Sequence, residues 1–578
     1  MATARFLGIG LCAALTCTAA AAQEAPLAPL QPEETVEVRP RGLVAARGFM
    51  VAAAHPLATD AGHAVLAAGG SAADAAVAVQ AMLGLVEPQS SGLGGGAFAL
   101  YWDARLGTLT SFDARERAPM AAGPDYWLDA EGAPLPFWDA VIGGRSVGVP
   151  GTPLLLETLH DRFGRLPWAG LFADAIATAE RGFPVSRRLA AAIAGARDLD
   201  RFDAARALFF DVEGRPRAEG DRLANPDYAR SLRLLADRGA APFYEGAIAR
   251  DIVAAVRTET NPGLLTPEDL AGYAVIERPP VCLDYRGHAV CGMGPPSSGG
   301  LTVGQILGML EAFDLAALGP GVDATHLFLE ASRLAFADRG LYMADADFVD
   351  MPEGLLDRDY LAARAALIDP GRAMETAAPG EPPWDDARVL APDRPRPRAG
   401  TSHFVIVDSH GDMISMTTTI ETGFGSRVMT NGFLLNNELT DFAFEPEVDG
   451  RAVANRVEGG KRPRSSMAPT IVLRDGAPVL LTGSPGGANI IPFVAASIVG
   501  VLDWGFDPQA AIDRLHAVTT GGPVRIEPGP GSAALAEALA ARGHAVEEAA
   551  LNSGLHVIAI GPEGLVGAAD PRREGLAL

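Results

Sequence analysis

Gly400 and Thr401 form a junction at which the chain could cut itself. A threonine hydroxyl needs a base to become a nucleophile, and a threonine that begins a chain carries that base in its own α-amine. The α-amine has a reference pKa of about 7.7–8.0, so much of it is neutral near physiological pH. Thr401 is internal, so an N-to-O acyl shift followed by hydrolysis must first break the bond after Gly400. Glycine leaves that carbonyl open to attack.

The sequence on either side of this junction changes character abruptly. Residues 376–400 contain six prolines and no sustained apolar periodicity, so we expect an exposed, mobile segment. Residues 402–408 and 413–420 then alternate as two strands around a turn. The pattern predicts a β-hairpin that begins at the threonine. A Gly-Thr-Ser-His tetrapeptide before a strand is by itself a weak signal.

His403 offers a second base for the same nucleophile. Side chains two residues apart on a strand share one face, so His403 lies within reach of Thr401. The α-amine is the stronger candidate because it is always adjacent to the hydroxyl. Ser402 points to the opposite face and is interpreted as structural.

Several motifs spread along the chain resemble the γ-glutamyltransferase family, also called γ-glutamyltranspeptidase or glutathione hydrolase. The resemblance covers residues 45–578. The glycine-rich stretch at residues 87–96 lacks the Gly-Lys-Ser/Thr of a phosphate-binding loop, so it indicates tight turns and packing. The matching stretches are residues 87–96, 115–119, 149–152, 284–287, 295–300, 434–442, 461–467 and 482–487.

The resemblance implies the catalytic residues. Thr401 corresponds to the processing and catalytic threonine, and Thr419 to a second threonine that orients its amine. Gly486 and Gly487 correspond to the oxyanion hole, where two glycines let backbone N–H groups approach a tetrahedral oxyanion. The cleavage site is then the Gly400–Thr401 bond.

The resemblance also implies a clamp for a zwitterionic substrate end. Arg115 matches the arginine that binds the substrate α-carboxylate, with Ser465 and Ser466 as hydroxyl donors. Glu438 and Asp441 match the acidic pair that receives the α-ammonium. Taken singly, Arg115 is typical of a structural ion pair, and the two acids are typical of solvated charges. Together they imply γ-glutamyl amides such as glutathione as donors, and water, amino acids or peptides as acceptors.

Two features depart from the family pattern. Glu421 stands where the family commonly has an asparagine that contacts the ammonium end. A third carboxylate would strengthen ammonium binding, raise the pKa of a neighbouring carboxyl or redirect the acyl specificity. Residues 443–460, which form a lid in some members, contain no tyrosine, so we expect a more open pocket.

The N-terminus has the pattern of an export signal. Arg5 precedes an apolar stretch over residues 6–18, and residues 20–22 form an A-x-A cleavage site. We therefore expect a signal peptide at 1–22 and a periplasmic or secreted protein, with an uncleaved anchor as the alternative. The net charge of −24 argues against binding to nucleic acid or to anionic membranes.

Cys282 and Cys291 remain after export, in an oxidising compartment. They flank a predicted hairpin, and a two-residue turn at Arg286-Gly287 would place them directly opposite each other. We predict a cross-strand disulfide, with two buried free thiols as the alternative. No matching histidine cluster accompanies them, so no metal site is expected.

Alternating helices and strands predict an α+β protein, and the resemblance narrows this to a four-layer αββα sandwich, the N-terminal-nucleophile hydrolase fold. Two chains of one precursor would build it, a large subunit over 23–400 and a small subunit over 401–578. No cofactor is implied. The nearest alternative is a cephalosporin- or glutaryl-type acylase of the same superfamily. An alternative from another class is an unprocessed, inactive exported binding protein.

Overall fold

Two antiparallel sheets lie at the centre of the computed structural model, which describes Met1 and residues 38–384, 389–393 and 400–578. We call them the nucleophile sheet and the second sheet. The nucleophile sheet has the strand order Leu576–Ala577, Met50–Ala53, Ser402–Val407, Met413–Thr419, Gly96–Asp103, Thr108–Ala114 and Ile276–Arg278. The second sheet has the order Val44–Ala46, Gly564–Ala569, His556–Gly561, Ala477–Gly483, Thr470–Arg474, His288–Gly292 and Val281–Tyr285.

The alternation along the hairpin after Thr401 explains how the layers stack. Phe404 and Ile406 lie in a core shared with the helices on one side of the nucleophile sheet. Val405 and Val407 lie in a second core, between the two sheets. Because both faces of this strand are covered, all of its residues are buried.

Helices cover the outer face of each sheet, which completes the αββα sandwich. Pro56–Ala67, Ala72–Val86 and Thr152–Phe163 pack on the nucleophile sheet. Gly299–Leu310, Ile490–Leu502 and Pro508–Ile512 pack on the second sheet, and Val322–Tyr342 packs on Gly299–Leu310. The other helices are Phe137–Val141, Ala173–Arg181, Arg187–Gly195, Asp203–Phe209, Pro226–Arg238, Ala241–Tyr244, Ala247–Ala255, Pro267–Ala271, Leu315–Leu318, Arg358–Ala365 and Ser532–Ala541.

Smaller sheets of two or three strands lie outside the two central sheets. They consist of the strands Phe183–Pro184 with Arg222–Leu223, Met429–Thr430 with Phe433–Leu434, Glu447–Val448 with Arg451–Ala452, and Ala517–Val518 with Val524–Ile526 and Val546–Glu548. Ala517–Val518 falls in a region where the periodicity predicts one helix over 510–518. The helix ends at Ile512 instead, and Ala517–Val518 pair as a strand with Val524–Ile526. The local pattern is overridden by this long-range pairing.

Part of the proline-rich segment before the junction is held in place rather than mobile. Ala391 is buried and forms a bridge with Val453. Gly380 donates its N–H to Asp338 and accepts a hydrogen bond from the Tyr342 hydroxyl. The expectation of an exposed segment is therefore wrong for these residues, while 385–388 and 394–399 lie outside the described residues.

The hairpin that carries the cysteines has the expected register. Arg286 and Gly287 form its turn, both with positive φ, and Cys282 lies directly opposite Cys291. The two sulfurs are joined in a disulfide. The signal peptide expected at 1–22 lies outside the described residues. Across the part of the chain that is described, no helix combines the length and the apolar character that a membrane span requires.

Candidate active site

The junction between Gly400 and Thr401 lies at the entry to the central strand pair. Thr401 is buried and directly precedes the strand Ser402–Val407. Its carbonyl accepts a hydrogen bond of 3.1 Å from Nη1 of Arg573. Gly400 has φ = 139°, and a side chain there would run into the carbonyl of Glu421. The chain therefore needs glycine at this position for both conformation and space.

Two threonine hydroxyls donate to the carbonyl oxygen of Gly400. The Thr401 hydroxyl donates to the oxygen of Gly400. Oγ1 of Thr419 donates to the same oxygen at 2.9 Å and lies 3.4 Å from Oγ1 of Thr401. The N–H of Glu421 donates to Thr419 Oγ1 at 2.8 Å, which fixes the direction in which the Thr419 proton points. Donors on the oxygen polarise the carbonyl toward attack.

Strand register brings these threonines together. Ser402 pairs with Thr418 in the hairpin, so Thr419 is the residue beside Thr401. Thr419 in turn pairs with Gly96 of the next strand, where a side chain would run into Glu116 and the carbonyl of Ala114. The sheet thus positions the second threonine through backbone pairing alone.

His403 is placed for packing rather than for proton transfer to Thr401. Its Nδ1 lies 2.9 Å from Oγ1 of Thr417, and its ring centroid lies 6.3 Å from that of His556. Burial lowers the pKa of His403 well below its usual range. Ser402 donates to Oε2 of Glu87 at 2.9 Å, as expected for a structural residue. The hydrogen-bond partner found for the His403 ring is thus the Thr417 hydroxyl.

A cavity of about 310 Å³ opens at the threonine pair. It is lined by most of the residues that the sequence singles out, brought together from distant parts of the chain. These residues are Arg115, Gly400, Thr401, Thr419, Glu421, Glu438, Asp441, Ser465, Ser466 and Gly487. Gly486 lies one residue behind Gly487 and is not among the described residues that line the cavity.

The glycine pair forms the start of a helix that faces this cavity. Gly486 and Gly487 have φ = 136° and 57°, and a 3₁₀ turn at Gly487–Asn489 leads into Ile490–Leu502. Gly487, Ala488 and Ile490 line the cavity. Backbone N–H groups at a helix N-terminus favour a negative charge, which suits an oxyanion.

Arg115 binds the two acids that the resemblance pairs with the substrate ammonium. Its guanidinium forms ion pairs with Glu438 and with Asp441, and its Nε donates to the carbonyl of Pro463 at 3.0 Å. Burial alone would lower the pKa of Arg115, but the carboxylates of Glu438 and Asp441 raise it above its ordinary value. Arg115 is therefore paired with both of these acids in this structure.

Glu116 adds a third carboxyl to the same cluster. Its Oε2 lies 3.7 Å from Nη1 of Arg115, and the side chain is fully buried. Burial raises the pKa of Glu116 well above its usual range, and the neighbouring Glu438 raises it further. Burial also raises the pKa of Glu438. The two glutamates therefore retain a proton under conditions in which an exposed pair would have lost both.

Ser465 and Ser466, which the resemblance assigns to the carboxylate end of the clamp, also line the cavity. The Ser465 hydroxyl accepts from the N–H of Met467 at 3.1 Å. Ser466 accepts from Nη2 of Arg339 at 2.7 Å. Arg339 also lines the cavity, and sequence analysis missed it. The helical pattern predicted around it covered 326–337, whereas the helix runs to Tyr342 and includes Arg339.

Glu421 faces the same cavity in a strained conformation. It has φ = 79°, which is uncommon for a residue with a side chain, and it is buried. Its Oε2 accepts a hydrogen bond of 3.3 Å from Nδ2 of Asn437. Strain at a cavity wall is typical of positions that are held for function.

The expected lid region, residues 443–460, contributes side chains to the cavity wall. Phe442 and Phe444 line the cavity, and the ring of Phe444 stacks on Trp127 at 5.1 Å between centroids. Trp127 donates from Nε1 to the carbonyl of Leu439 at 3.1 Å. Packed aromatic rings therefore hold this wall in the absence of a tyrosine.

An αββα sandwich with a threonine at the start of a central buried strand defines the class of N-terminal-nucleophile hydrolases. Comparison with known proteins narrows this class. The family model described as Gamma-glutamyltranspeptidase matches residues 58–578. The chain belongs to the γ-glutamyltranspeptidase family.

Similar proteins span nearly the whole chain. A glutathione hydrolase proenzyme of Escherichia coli (strain K12) is 37% identical over 571 residues, covering 96% of this chain and 95% of the relative. One from Bacillus subtilis (strain 168) is 38% identical over 480 residues, covering 81% and 80%. The crystal structure of a cephalosporin acylase from Bacillus halodurans superposes with a TM-score of 0.83 at 30% identity, covering 95% and 99%.

Proposed function

We propose that this protein is a self-cleaving γ-glutamyltransferase and glutathione hydrolase with Thr401 as its nucleophile. The observation that carries the proposal is the contact of the Thr401 hydroxyl with the Gly400 carbonyl, beside a second donor from Thr419. Membership of the γ-glutamyltranspeptidase family supports the substrate class.

Activation begins with attack of Thr401 Oγ1 on the carbonyl carbon of Gly400. The hydroxyl loses its proton, the C–N bond breaks, and the Thr401 nitrogen leaves as an amine, so an ester replaces the amide. Thr419 donates to the oxygen on which negative charge develops. Water then hydrolyses the ester, which yields a carboxylate at Gly400 and a free amino terminus at Thr401.

Turnover reuses the same hydroxyl with the new α-amine as base. Thr401 attacks the γ-carbonyl of the donor, the amine passes the proton to the leaving group, and a γ-glutamyl ester forms. Gly486 and Gly487 supply backbone donors for the oxyanion, a contribution worth about 10²–10³ in rate in other enzymes. Water or an amino acid or peptide amine then takes the acyl group.

The clamp orients the donor for this attack. Its α-carboxylate is received by Arg115, Ser465 and Ser466, and its α-ammonium by Glu438, Asp441 and Glu421. In the free protein Arg115 is paired with Glu438 and Asp441. When a zwitterionic donor binds, its carboxylate takes the place of these acids on Arg115, and its ammonium takes the place of Arg115 on the acids. No buried charge is therefore left without a partner. This exchange favours donors that carry both groups over donors that carry one.

We also propose that the protein is exported and works as two associated chains, 23–400 and 401–578. The apolar stretch and small-residue site at 1–22 support export. The Cys282–Cys291 disulfide is typical of an oxidising compartment.

Replacing the nucleophile tests the proposal. Thr401→Ala removes the hydroxyl, so we expect one uncut chain by mass spectrometry and no release of anilide from a γ-glutamyl anilide. Thr401→Ser keeps a hydroxyl and is the matched control, expected to cut and turn over more slowly. Edman sequencing of the active protein should find a terminus that reads Thr-Ser-His-Phe. An intact, inactive wild-type chain would favour an exported binding protein instead.

A cephalosporin- or glutaryl-type acylase is the second candidate, because Glu421 replaces the usual asparagine and a cephalosporin acylase shares the fold closely. Such an acylase would prefer a glutaryl anilide, which has the terminal carboxylate but no ammonium. Comparing kcat/KM for γ-glutamyl and glutaryl anilides decides between the two. Preference for the glutaryl anilide would favour the acylase.

A further inference from the structure

We propose that Arg339 is a positioning residue that sets the direction of the Ser466 proton, so that Ser466 donates to the carboxylate of the acyl donor. The inference rests on the proposed function, because it concerns the donor pocket at Thr401. Arg339 lies on the helix Val322–Tyr342 and lines the cavity.

Two bonds from Arg339 define the arrangement. Its Nε donates to Oγ of Ser298 at 2.8 Å, and its Nη2 donates to Oγ of Ser466 at 2.7 Å. Ser466 and Arg339 both line the cavity. Two serine hydroxyls thus contact the guanidinium, and one of them belongs to a residue that lines the space the donor would fill.

The direction of donation in these two hydrogen bonds is fixed by the chemistry of arginine. A guanidinium is a donor and has no acceptor atom, so Ser466 must accept from it. A serine hydroxyl carries a single proton, and this contact leaves the proton of Ser466 available for another acceptor. A carboxylate only accepts hydrogen bonds and therefore requires such a donor.

Ser298 secures the other side of the guanidinium. It donates to the carbonyl of Ser465 at 2.6 Å, so its lone pairs are turned toward Nε of Arg339. The N–H of Ser298 donates to the same carbonyl at 2.9 Å. Arg339, through Ser298, therefore also fixes the backbone that presents both serines.

A charged donor on Ser466 has an electrostatic consequence as well. Hydrogen bonds in a chain polarise one another, so a guanidinium on the oxygen strengthens the donation from its proton. Positive potential from Arg339 therefore reaches the carboxylate through a hydroxyl.

Three anilide donors separate the parts of this recognition. A γ-glutamyl anilide carries the carboxylate and the ammonium, a glutaryl anilide carries the carboxylate alone, and a 4-aminobutyryl anilide carries the ammonium alone. Arg339→Met is expected to raise KM about 10- to 100-fold for the two donors with a carboxylate, the range of a charged hydrogen bond. KM for the 4-aminobutyryl anilide should change less than about threefold.

Further variants complete the test. Arg339→Lys keeps the charge and should raise KM for the donors with a carboxylate by less than about tenfold. Ser466→Ala should raise KM for the same two donors as Arg339→Met does. The double variant should raise KM no more than the single variant with the larger effect. Arg333→Met, on the same helix but bonded to Glu330 and the carbonyl of Met374, is the control and should leave the KM ratios unchanged.

The two proposals fail in different ways. Failure of the wild-type protein to turn over γ-glutamyl anilide contradicts the proposed function, while the glutaryl anilide still reports on Arg339. Equal losses on all three donors, or additive effects of the Arg339 and Ser466 variants, contradict the role of Arg339. Mass spectra showing two chains establish that each variant has folded and cut itself.

Discussion

Glu438 combines a buried carboxyl with a predicted role in binding an ammonium. Burial raises its pKa, so it remains protonated at pH values where an exposed glutamate is ionised. Only the ionised form attracts the donor ammonium. As pH rises through the raised pKa, we therefore expect KM for a γ-glutamyl anilide to fall.

Steady-state kinetics between pH 5 and pH 8.5 measure this effect. Glu438→Gln cannot ionise and should give a higher KM with a flatter pH profile. A glutaryl anilide, which has no ammonium, should show no such fall in the wild-type protein. Profiles of wild type and variant that run parallel would show that another group controls donor binding.

Gly400 is the second residue whose role is testable alone. Its φ of 139° and its contact with the Glu421 carbonyl both exclude a side chain. Backbone strain of this kind costs about 1–3 kcal/mol, so Gly400→Ala should slow self-cleavage by roughly 10- to 100-fold. The uncut fraction on a denaturing gel over time measures the rate.

Gly476→Ala is the matched control for that variant. Gly476 also has a positive φ, 78°, but no neighbouring atom would meet its added side chain. It should cut itself at the wild-type rate. Equal rates for both variants and the wild type would show that the fit of Gly400 against Glu421 does not matter.

The sequence indicates which residue types form the site, but it does not indicate which of these residues contact one another. Residues such as Thr401 and Arg115 could be singled out because they stand in motifs that resemble the family, although each is a weak signal when taken alone. The ion pair of Arg115 with Glu438 joins residues 323 positions apart, and no local pattern reports such a contact. Arg339 was missed because the predicted helix ended at residue 337, two residues before Arg339 and five before the observed end at Tyr342.

Two strands from different sheets bring a pair of histidines together in the core. His403 lies on Ser402–Val407 of the nucleophile sheet, and His556 lies on His556–Gly561 of the second sheet. Burial lowers the pKa of His556 to about 4 from an ordinary value of 6.5. Below pH 6.5 the unfolded chain takes up a proton that the folded chain resists.

Stability should therefore fall as the pH drops from 6.5 toward 4, by about 3 kcal/mol in total for this one histidine. Melting temperatures measured between pH 7 and pH 5 test the sign. His556→Gln should make the decline shallower, and His410→Gln, at an exposed turn, controls for the loss of one histidine. A decline equally steep in all three proteins would contradict the assignment.

Elements with strong local signals agree between sequence and structure. The hairpin after Thr401 alternates cleanly, and the Ser71–Asp74 capping box precedes a helix that is buried along its whole length. The helix expected at 510–518 stops at Ile512, and Ala517–Val518 pair as a strand with Val524–Ile526. Pairing partners far apart in sequence are invisible to a window of local pattern.

At the scale of the molecule, the disulfide does not connect the two proposed products. Cys282 and Cys291 both precede the junction, and residues 401–578 contain no cysteine. A denaturing gel without reductant should therefore show two bands. Under native conditions the same sample should elute as one species containing both chains, because their strands share both sheets. One band on the non-reducing gel of active protein would contradict cleavage at the junction.

Strand order has a consequence for how such a molecule can be made. Met50–Ala53 lies between Leu576–Ala577 and Ser402–Val407, so neither product could complete a sheet by itself. While the backbone is continuous, these neighbours find each other as parts of one tethered polymer. Once severed, they would have to meet by diffusion as two incomplete fragments, each with bare sheet edges prone to aggregate. After cleavage, unfolding is therefore no longer readily reversible. The stability of the two-chain protein then depends on the rate at which its chains unfold and dissociate.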